Sequence, residues 1–555
     1  MRHGGSGLVV DRDDVTATRA RTEATALATR TQGLRRGRNV VGVLGGFGGL
    51  MLLLYATSIH TAAATSDKAT TVLVGQSIAQ GHLLLHGWTL PPGNYWTTDS
   101  AIYAIAIRIF GLRDGLLYSE PAAIAALTVL AGVFFAREGR RGVASVAGSV
   151  AVVVLLVFAP PAMALWFVGN GFHVATALYA LVAFALLRKN AFGWRWILAV
   201  VLIAFGMVGD KEIVFFAIAP LVGAGLVSMA RARRWSGGVV CASAGVAAFV
   251  LGELVMRVVG AIGAFTPGPP LPFAHIGQIV RNFGDLFTYF ADLVGITNGR
   301  FGTAGVPNAL LDFHIIGGLC IVASVIAALF ELVRGAIKGD SRASGRADAA
   351  APWRLDDVLV LATLISALPF VLLAGPNGVG IHFLSIPVIF AAILTGRCVA
   401  RLWPFLSRRH LTRQAAIIGL AASCTFGAGL GYELNLPTPA EPAATLATWL
   451  ESHHLVDGLA PYWAAAITTV VSDGAVKIRP VGIDRNGHVE RMATQSLDTW
   501  YAGHAFDFYV SDKPPSDVDF KSAEWTWGDP SRVYAVGKYW VLTWGHPLSL
   551  ASPGI

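Results

Sequence analysis

RRGRNVVGVLGGFGGLMLLLYATSIHTAAATSDK, residues 35–68, decides how this chain is read. Three arginines (Arg35, Arg36 and Arg38) precede an apolar run near 40–59, and the run gives way to a polar stretch carrying Asp67 and Lys68. Roughly 20 apolar residues cross the ~30 Å hydrocarbon layer as a helix, and positive residues stay on the cytoplasmic side. The segment therefore predicts a span that starts in the cytoplasm and emerges beside an acid. Ala62-Ala63-Ala64 resembles a signal-peptidase site, but the long run and the long region before it favour a retained helix.

The same pattern repeats outward from this stretch. Further runs near 117–136, 142–159, 166–187, 194–209, 213–230, 237–259, 309–332, 356–375, 381–398 and 411–431 bring the expected spans to eleven. The short run at 194–209 gains an interfacial anchor from Trp194 and Trp196. Arginines and lysines cluster in alternate connections: Arg137, Arg140 and Arg141; Arg188, Lys189 and Arg195; Arg231, Arg233 and Arg234; then the stretches 334–354 and 397–413. The other connections hold only Lys68, Arg108, Arg113, Lys211, Arg281 and Arg300. The first set faces the cytoplasm by the positive-inside rule, so everything after residue 431 is expected outside. The fold class expected is an all-α polytopic membrane protein of about eleven transmembrane helices, with a small C-terminal extracytoplasmic α/β domain.

Composition agrees. Of 555 residues, 54% are hydrophobic and 14% charged, against roughly 25% charged in soluble domains. The net charge of +8 lies in the connections, which orients spans and gives no nucleic-acid-binding surface. The four cysteines fall in apolar segments and imply no disulfide framework in the tail. Residues 1–39 read as a disordered cytoplasmic N-terminus, 40–431 as the transmembrane domain and 432–555 as the external domain. The expected location is the plasma (inner) membrane.

Three outer segments exceed simple connectors. The first, 60–116, contains a weakly amphipathic stretch stopping at Gly81, a Pro91-Pro92-Gly93 turn, then Asn94-Tyr95-Trp96. Asp99 can cap a second helix with Ile102, Ile105 and Ile109 on one face, and Arg108 and Arg113 suit a position along the headgroup boundary. Two short helices near 68–80 and 99–110 are expected, packed beneath the tail. The second segment, 265–308, is rich in Pro, Gly and aromatics. In the third, 432–555, Pro442 starts a helix reaching His453, and strand-like runs follow at 475–481, 506–510 and 533–544. Seven of the 15 tryptophans lie there; core packing and contact with a membrane surface account for them more plainly than sugar stacking does.

An acid just after the first span, a first loop with two surface helices, many further spans and an external C-terminal domain resemble the C-type (GT-C) membrane glycosyltransferases. The most similar segment runs from Ser66-Asp67-Lys68 through Gly81 and Tyr95-Trp96 to Tyr103. Gly209-Asp210-Lys211-Glu212, the run Gly380-Ile381-His382-Phe383-Leu384-Ser385-Ile386-Pro387, and Pro461-Tyr462-Trp463 followed by Ser472-Asp473-Gly474 support it. The likeness covers most of the chain in layout more than in letters. It implies transfer of a sugar from a polyprenyl-phosphate carrier to an envelope glycan, lipid or protein acceptor at the bilayer. The family commonly has Asp-Glu or Asp-Asp where this chain has Asp67-Lys68, a departure that counts against a paired-carboxylate or metal-assisted site. Whether a divalent metal ion assists is left open.

Direct displacement at an anomeric carbon needs a base for the acceptor proton and a stabilised departing phosphate. The resemblance makes Asp67 the expected base; a cap on the following helix is the plainer account. Asp99 would assist, although an N-cap suits it better. Lys211 and His382 would meet the donor phosphate, with Arg281 and Arg300 holding phosphate or acceptor. Asn170 and His173 would line the same cavity. Glu253 is an acid inside an apolar run. No Walker loop or dinucleotide fingerprint is visible. A secondary transporter or flippase fits poorly, because the Gly/Pro breaks cluster on one side and no internal repeat is visible. A catalytically silent envelope-assembly protein is the remaining alternative.

Overall fold

The computed structural model describes residues 42, 44–61, 63–188, 191–232, 236–270, 272–297, 312–338, 353–374 and 379–550. In chain order its elements are α1 (Leu44–Thr61), α2 (Ser66–Ala79), β1 (Trp88–Leu90), α3 (Asp99–Phe110), α4 (Leu116–Arg137), α5 (Gly142–Val157) and α6 (Pro161–Gly169, π-wound over its last turn). Next come α7 (Val174–Leu187), α8 (Trp194–Gly209), α9 (Val214–Ala232), α10 (Ser236–Ala261), β2 (Thr266–Pro267), α11 (Ile276–Leu293), α12 (His314–Lys338), α13 (Leu355–Leu372), α14 (Ser385–Arg408) and α15 (Thr412–Glu433).

The chain is a multi-pass membrane protein. All eleven apolar runs contain helix, but they differ in reach. Among the described residues, eight helices are long and apolar enough to span, and α5 with α6 makes a ninth that bends by 79°. At 1.5 Å per residue, α7 and α8 cover about 21 and 24 Å, short of the ~30 Å core. The expected fourth span, 166–187, is broken in two: α6 ends at Gly169, and Gly171 (φ 71°) and His173 (φ 62°) turn the chain before α7 starts. The second long connection also differs from its Pro/Gly-rich reading. It contains the helix α11, whose residues Ile276, Val280, Phe283 and Phe287 share one exposed apolar face. Residues 1–39 and Arg300 lie outside the described residues.

The two expected first-loop helices form as α2 and α3. Helix α2 is embedded where a surface position was expected, because its apolar residues are covered from several sides. Ala69, Val72 and Leu73 share a core with Tyr103 of α3, Leu117 of α4 and Ala466, Ile467 and Val470 of the tail. A Cβ on Gly75 would come within 2.6 Å of the Tyr103 Cβ, so only glycine lets α2 and α3 cross this closely. On α3 the stripe containing Ile105 and Ile109 is exposed, as a headgroup-level helix requires, while Asp99, Ser100 and Tyr103 face inward.

The tail builds an α/β domain from α16 (Pro442–Ser452), β3 (Asp457–Pro461), α17 (Tyr462–Val471), β4 (Lys477–Ile483), β5 (Val489–Arg491), β6 (Ser496–Leu497), β7 (Phe506–Ser511), α18 (Val518–Trp527), β8 (Arg532–Val536) and β9 (Tyr539–Leu548). Six strands run in the order β5-β4-β3-β7-β9-β8, parallel in the middle and antiparallel at the edges. The expected run 533–544 becomes two strands because Gly537, at φ 59°, turns it into a hairpin. A second sheet, β2-β1-β6, joins the first loop, the second long connection and the tail. It fixes the tail domain over α2.

Candidate functional site

Helix ends without internal partners build the site. The last carbonyls of a helix have no helical donor, and at α8 the first loop supplies them. Tyr95 N donates to Gly209 O at 2.7 Å, Asn94 Nδ2 to Val208 O at 2.9 Å, and Thr97 Oγ1 to Phe205 O at 2.5 Å. The approach is so close that a Cβ on Gly209 would sit 2.7 Å from Thr97 Oγ1. At the end of α6, Ser58 donates to Val168 O and the Lys68 ammonium to Gly169 O. A cation there also complements the negative end of the helix dipole.

These caps leave polar side chains facing one another. Lys68, Thr71, Tyr95, Asp99, Tyr103, Glu120, Asn170 and Phe172 line one small cavity. Lys68 is buried, with its ammonium 5.4 Å from the Tyr118 ring centre. Burial pushes its pKa down to about 7, partly opposed by the Glu120 carboxylate. Burial likewise raises the Asp99 carboxyl to about 6. Asp99 Oδ2 and Glu120 Oε1 have no protein hydrogen-bond partner.

Beside the cavity runs a chain of three polar side chains. Asp210, fully buried, accepts from His173 Nδ1 at 2.7 Å, from Thr176 Oγ1 at 2.6 Å and from the Glu212 N–H at 3.1 Å. The other imidazole nitrogen, Nε2, lies 3.5 Å from the Tyr95 hydroxyl. Burial alone would lower the His173 pKa, but the Asp210 carboxylate outweighs it and raises it; the imidazolium in turn holds the buried Asp210 low. Glu212 is pushed up to about 7, first by burial and then by Asp210. His382, in the 3₁₀ turn Val379–Leu384 before α14, stacks on His173 with ring centres 5.3 Å apart. Tyr95 (φ 53°) is left-handed, a conformation costing a bulky residue of order 1–3 kcal/mol and found at functional sites; His173 is left-handed too, as histidine more readily is.

Asp67 sits one residue before Lys68, half-buried. Its partners come from the tail: the Tyr462 hydroxyl donates to Asp67 Oδ1 at 2.5 Å and also contacts Gln495, whose amide is 3.5 Å from the same carboxylate oxygen. Gln495 is again left-handed, at φ 56°, pinned by its N–H to Thr89 O at 2.6 Å.

The sequence matches no protein-family model and no curated protein. Among solved structures, the crystal structure of ArnT from Cupriavidus metallidurans in the apo state matches over 91% of this chain and 98% of that one, at TM-score 0.51 and 12% identity. ArnT is a polytopic GT-C membrane glycosyltransferase. The chain has the GT-C fold. The oligosaccharyltransferase of Archaeoglobus fulgidus, AglB, matches less well: TM-score 0.44 and 13% identity over 87% of this chain and 71% of that one.

Within this GT-C fold the candidates read from sequence fall into three groups. Asp99 and Asn170 line the cavity, Asp67 adjoins it through Lys68, and His173 and His382 stack beside it. Lys211 is exposed between buried Asp210 and half-buried Glu212. Arg281 is exposed on α11, and Glu253 is half-buried within α10. The sequence reading gave no role to Lys68, Tyr95, Glu120, Asp210, Tyr462 or Gln495. Glu120 had a visible signal, an acid close to the start of an apolar span. No group of three or more His, Cys, Asp or Glu among the described residues could hold a metal ion. The two acids that line the cavity share it with an ammonium, a donor set that does not fit a divalent cation.

Proposed function

We propose that this protein is a membrane glycosyltransferase that moves a sugar from a polyprenyl-phosphate carrier to a cell-envelope glycan, lipid or protein by direct displacement. The observation that carries this reading is the gathering of Asp67, Asp99, Asn170, His173 and His382 around one region of a GT-C-fold protein. Asp67 takes the acceptor hydroxyl proton, with Tyr462 and Gln495 orienting its carboxylate. Lys211 and His382 hold the donor phosphate, and Arg281 and Arg300 assist with phosphate or acceptor. The carrier brings its own leaving group, so no nucleotide fold is needed.

This reading comes with a topology. Residues 1–39 are cytoplasmic, 40–431 form the transmembrane domain in the plasma (inner) membrane, and 432–555 stand outside. A reporter fused after Ile555 is active only outside the cytoplasm, and one fused near Gly345 only inside. A cytoplasmic C-terminus would overturn the placement of the site.

The chemical test uses purified protein, a panel of polyprenyl-phosphate sugars and extracted envelope acceptors. Asp67→Asn keeps the size and capping ability of the side chain but cannot take a proton. Transfer should fall by a factor on the order of 10² to 10⁴ with folding unchanged. Full transfer by this variant rejects Asp67 as the base. Absence of transfer by the wild type with every donor and acceptor of the panel rejects the enzyme reading.

A further inference from the structure

We propose that Tyr95 presents its hydroxyl to the departing phosphate of the lipid donor, with His173 and Asp210 as positioning residues that polarise it. The inference rests on the glycosyl transfer proposed above and assigns that reaction its leaving-group side.

Three donors converge on Asp210, and one of them fixes the proton on His173 Nδ1. Nε2 then points at the Tyr95 oxygen. The groups facing this imidazole are Asp210, Glu212, Asp99, Tyr95 and the stacked His382, with Phe216 and Phe383 completing its walls. The carboxylates favour the imidazolium, which donates from both nitrogens. With its Nε2–H directed at the tyrosine oxygen, the phenol O–H is left to donate away from the histidine. That direction is the cavity, because Tyr95 lines it while His173, only 3% exposed, lies behind. Burial, and then the charges of Asp210 and Asp99, hold the phenol well above its ordinary pKa, so it keeps its proton and acts as a donor.

The strained backbone supports the same assignment. Two bulky residues in left-handed conformation meet ring to ring, 5.7 Å between centres, on loops tied to the ends of α6 and α8. A polarised phenol suits an oxygen that gains negative charge during the reaction better than a fixed cation, which binds ground state and transition state alike. In the step itself the bond from the anomeric carbon to the phosphate oxygen breaks, and its electron pair stays on that oxygen. The acceptor oxygen bonds to the carbon and its proton passes to Asp67. Tyr95 keeps its proton throughout, and its hydrogen bond to the phosphate shortens.

The test uses bare polyprenyl phosphate, the leaving group, with full-length protein in nanodiscs, followed by phosphorus-31 NMR between pH 5.5 and 9. Wild type should bind it, and binding should weaken as pH rises through the raised pKa of His173. Tyr95→Phe keeps the ring and its packing on Phe172, and should bind about tenfold to a hundredfold more weakly, as expected for a lost hydrogen bond to a charged group. Asp210→Asn, or His173→Gln should the first not fold, reports on the positioning role. Asp210→Asn shifts the pH limb downward, and His173→Gln removes it. Wild-type-like binding by Tyr95→Phe overturns the proposal, and so do an unmoved pH limb and failure of the wild type to bind polyprenyl phosphate. Sugar transfer measured in parallel separates the two readings: undiminished transfer by Tyr95→Phe rejects the relay alone.

Discussion

Helices α4, α7 and α9, with the last helix of the core bundle, α14, carry charged residues at both ends, and the two ends are built differently. At the ends nearest Arg188, Arg231 and Arg397 the charges are matched. Arg231 makes a two-pronged contact with Asp357 at 2.7 and 3.2 Å, both side chains 6% exposed. Arg397 bonds Asp356 at 2.5 Å and Glu138 at 3.3 Å, and Glu138 also holds Arg188 at 2.6 Å. Arg231 Nε is a buried nitrogen without a protein partner. At the other ends lie Glu120, Glu212 and His382, beside the His173–Asp210 pair. Here Glu120 Oε1, Glu212 Oε2 and neighbouring Asp99 Oδ2, Ser66 Oγ and Thr98 Oγ1 have no protein partner. A buried polar atom without a partner costs about 1–3 kcal/mol. Matched charges hold a bundle together; unmatched ones are kept where something else must be bound.

The largest expected effect separates the two ends. Arg231→Met strands Asp357 in a buried site and should cost about 3–5 kcal/mol. Adding Asp357→Leu should recover most of that loss, since an apolar pair tolerates burial. Thermal unfolding in detergent measures both. Affinity for polyprenyl phosphate per folded molecule should stay as in the wild type for either variant. A change in affinity as large as that of Tyr95→Phe would erase the distinction between a structural end and a binding end.

A smaller, pH-dependent effect tests the unmatched end. Lys68 titrates near 7 in the folded protein, against about 10.4 when unfolded. Between these values the unfolded chain binds the extra proton, so stability rises as pH increases from about 7 to about 10. Below pH 7 the cost of burying the ammonium is fully present. Melting temperature against pH should show that rise in the wild type, and Lys68→Met should flatten it. An unchanged slope would mean that Lys68 is solvated or fully paired.

How much of this was legible follows from the length scale of each signal. Spans and tail were visible because apolar runs and turn residues are read within one segment, as in α4 or around β7. The first-loop helices were visible from the Pro91-Pro92-Gly93 turn and the apolar face of α3, although burial of α2 was not, since its cover comes from Ala466 and Ile467, almost 400 residues away. Asp67 and His173 could be named as chemically apt residues. Their partners could not: Gln495 reaches Asp67 through β1 pairing with β6, Tyr462 through the packing of α17 on α2, and Asp210 reaches His173 through the closeness of α7 and α8. Left-handed backbone at Tyr95 leaves no mark in composition, because tyrosine does not favour it.

The smallest effect concerns how the tail is held on the first loop. Arg113 Nη1 meets Asp473 Oδ2 at 2.9 Å, with side chains 65% and 39% exposed, and Asp473 also accepts from the Asp114 N–H at 2.9 Å. An exposed ion pair contributes about 0–1 kcal/mol, so Arg113→Ala should barely move the melting temperature and should lose even that effect in high salt. The tail's position rests mainly on the shared core of α2 and α17 and on the sheet β2-β1-β6, neither of which depends on charge. Asp473→Ala should cost somewhat more, because it also leaves the Asp114 N–H without its acceptor. If Arg113→Ala instead lowered transfer by as much as Asp67→Asn, the exposed pair would be holding Tyr462 and Gln495 over Asp67. The contrast between matched and unmatched charges would then have to include the tail.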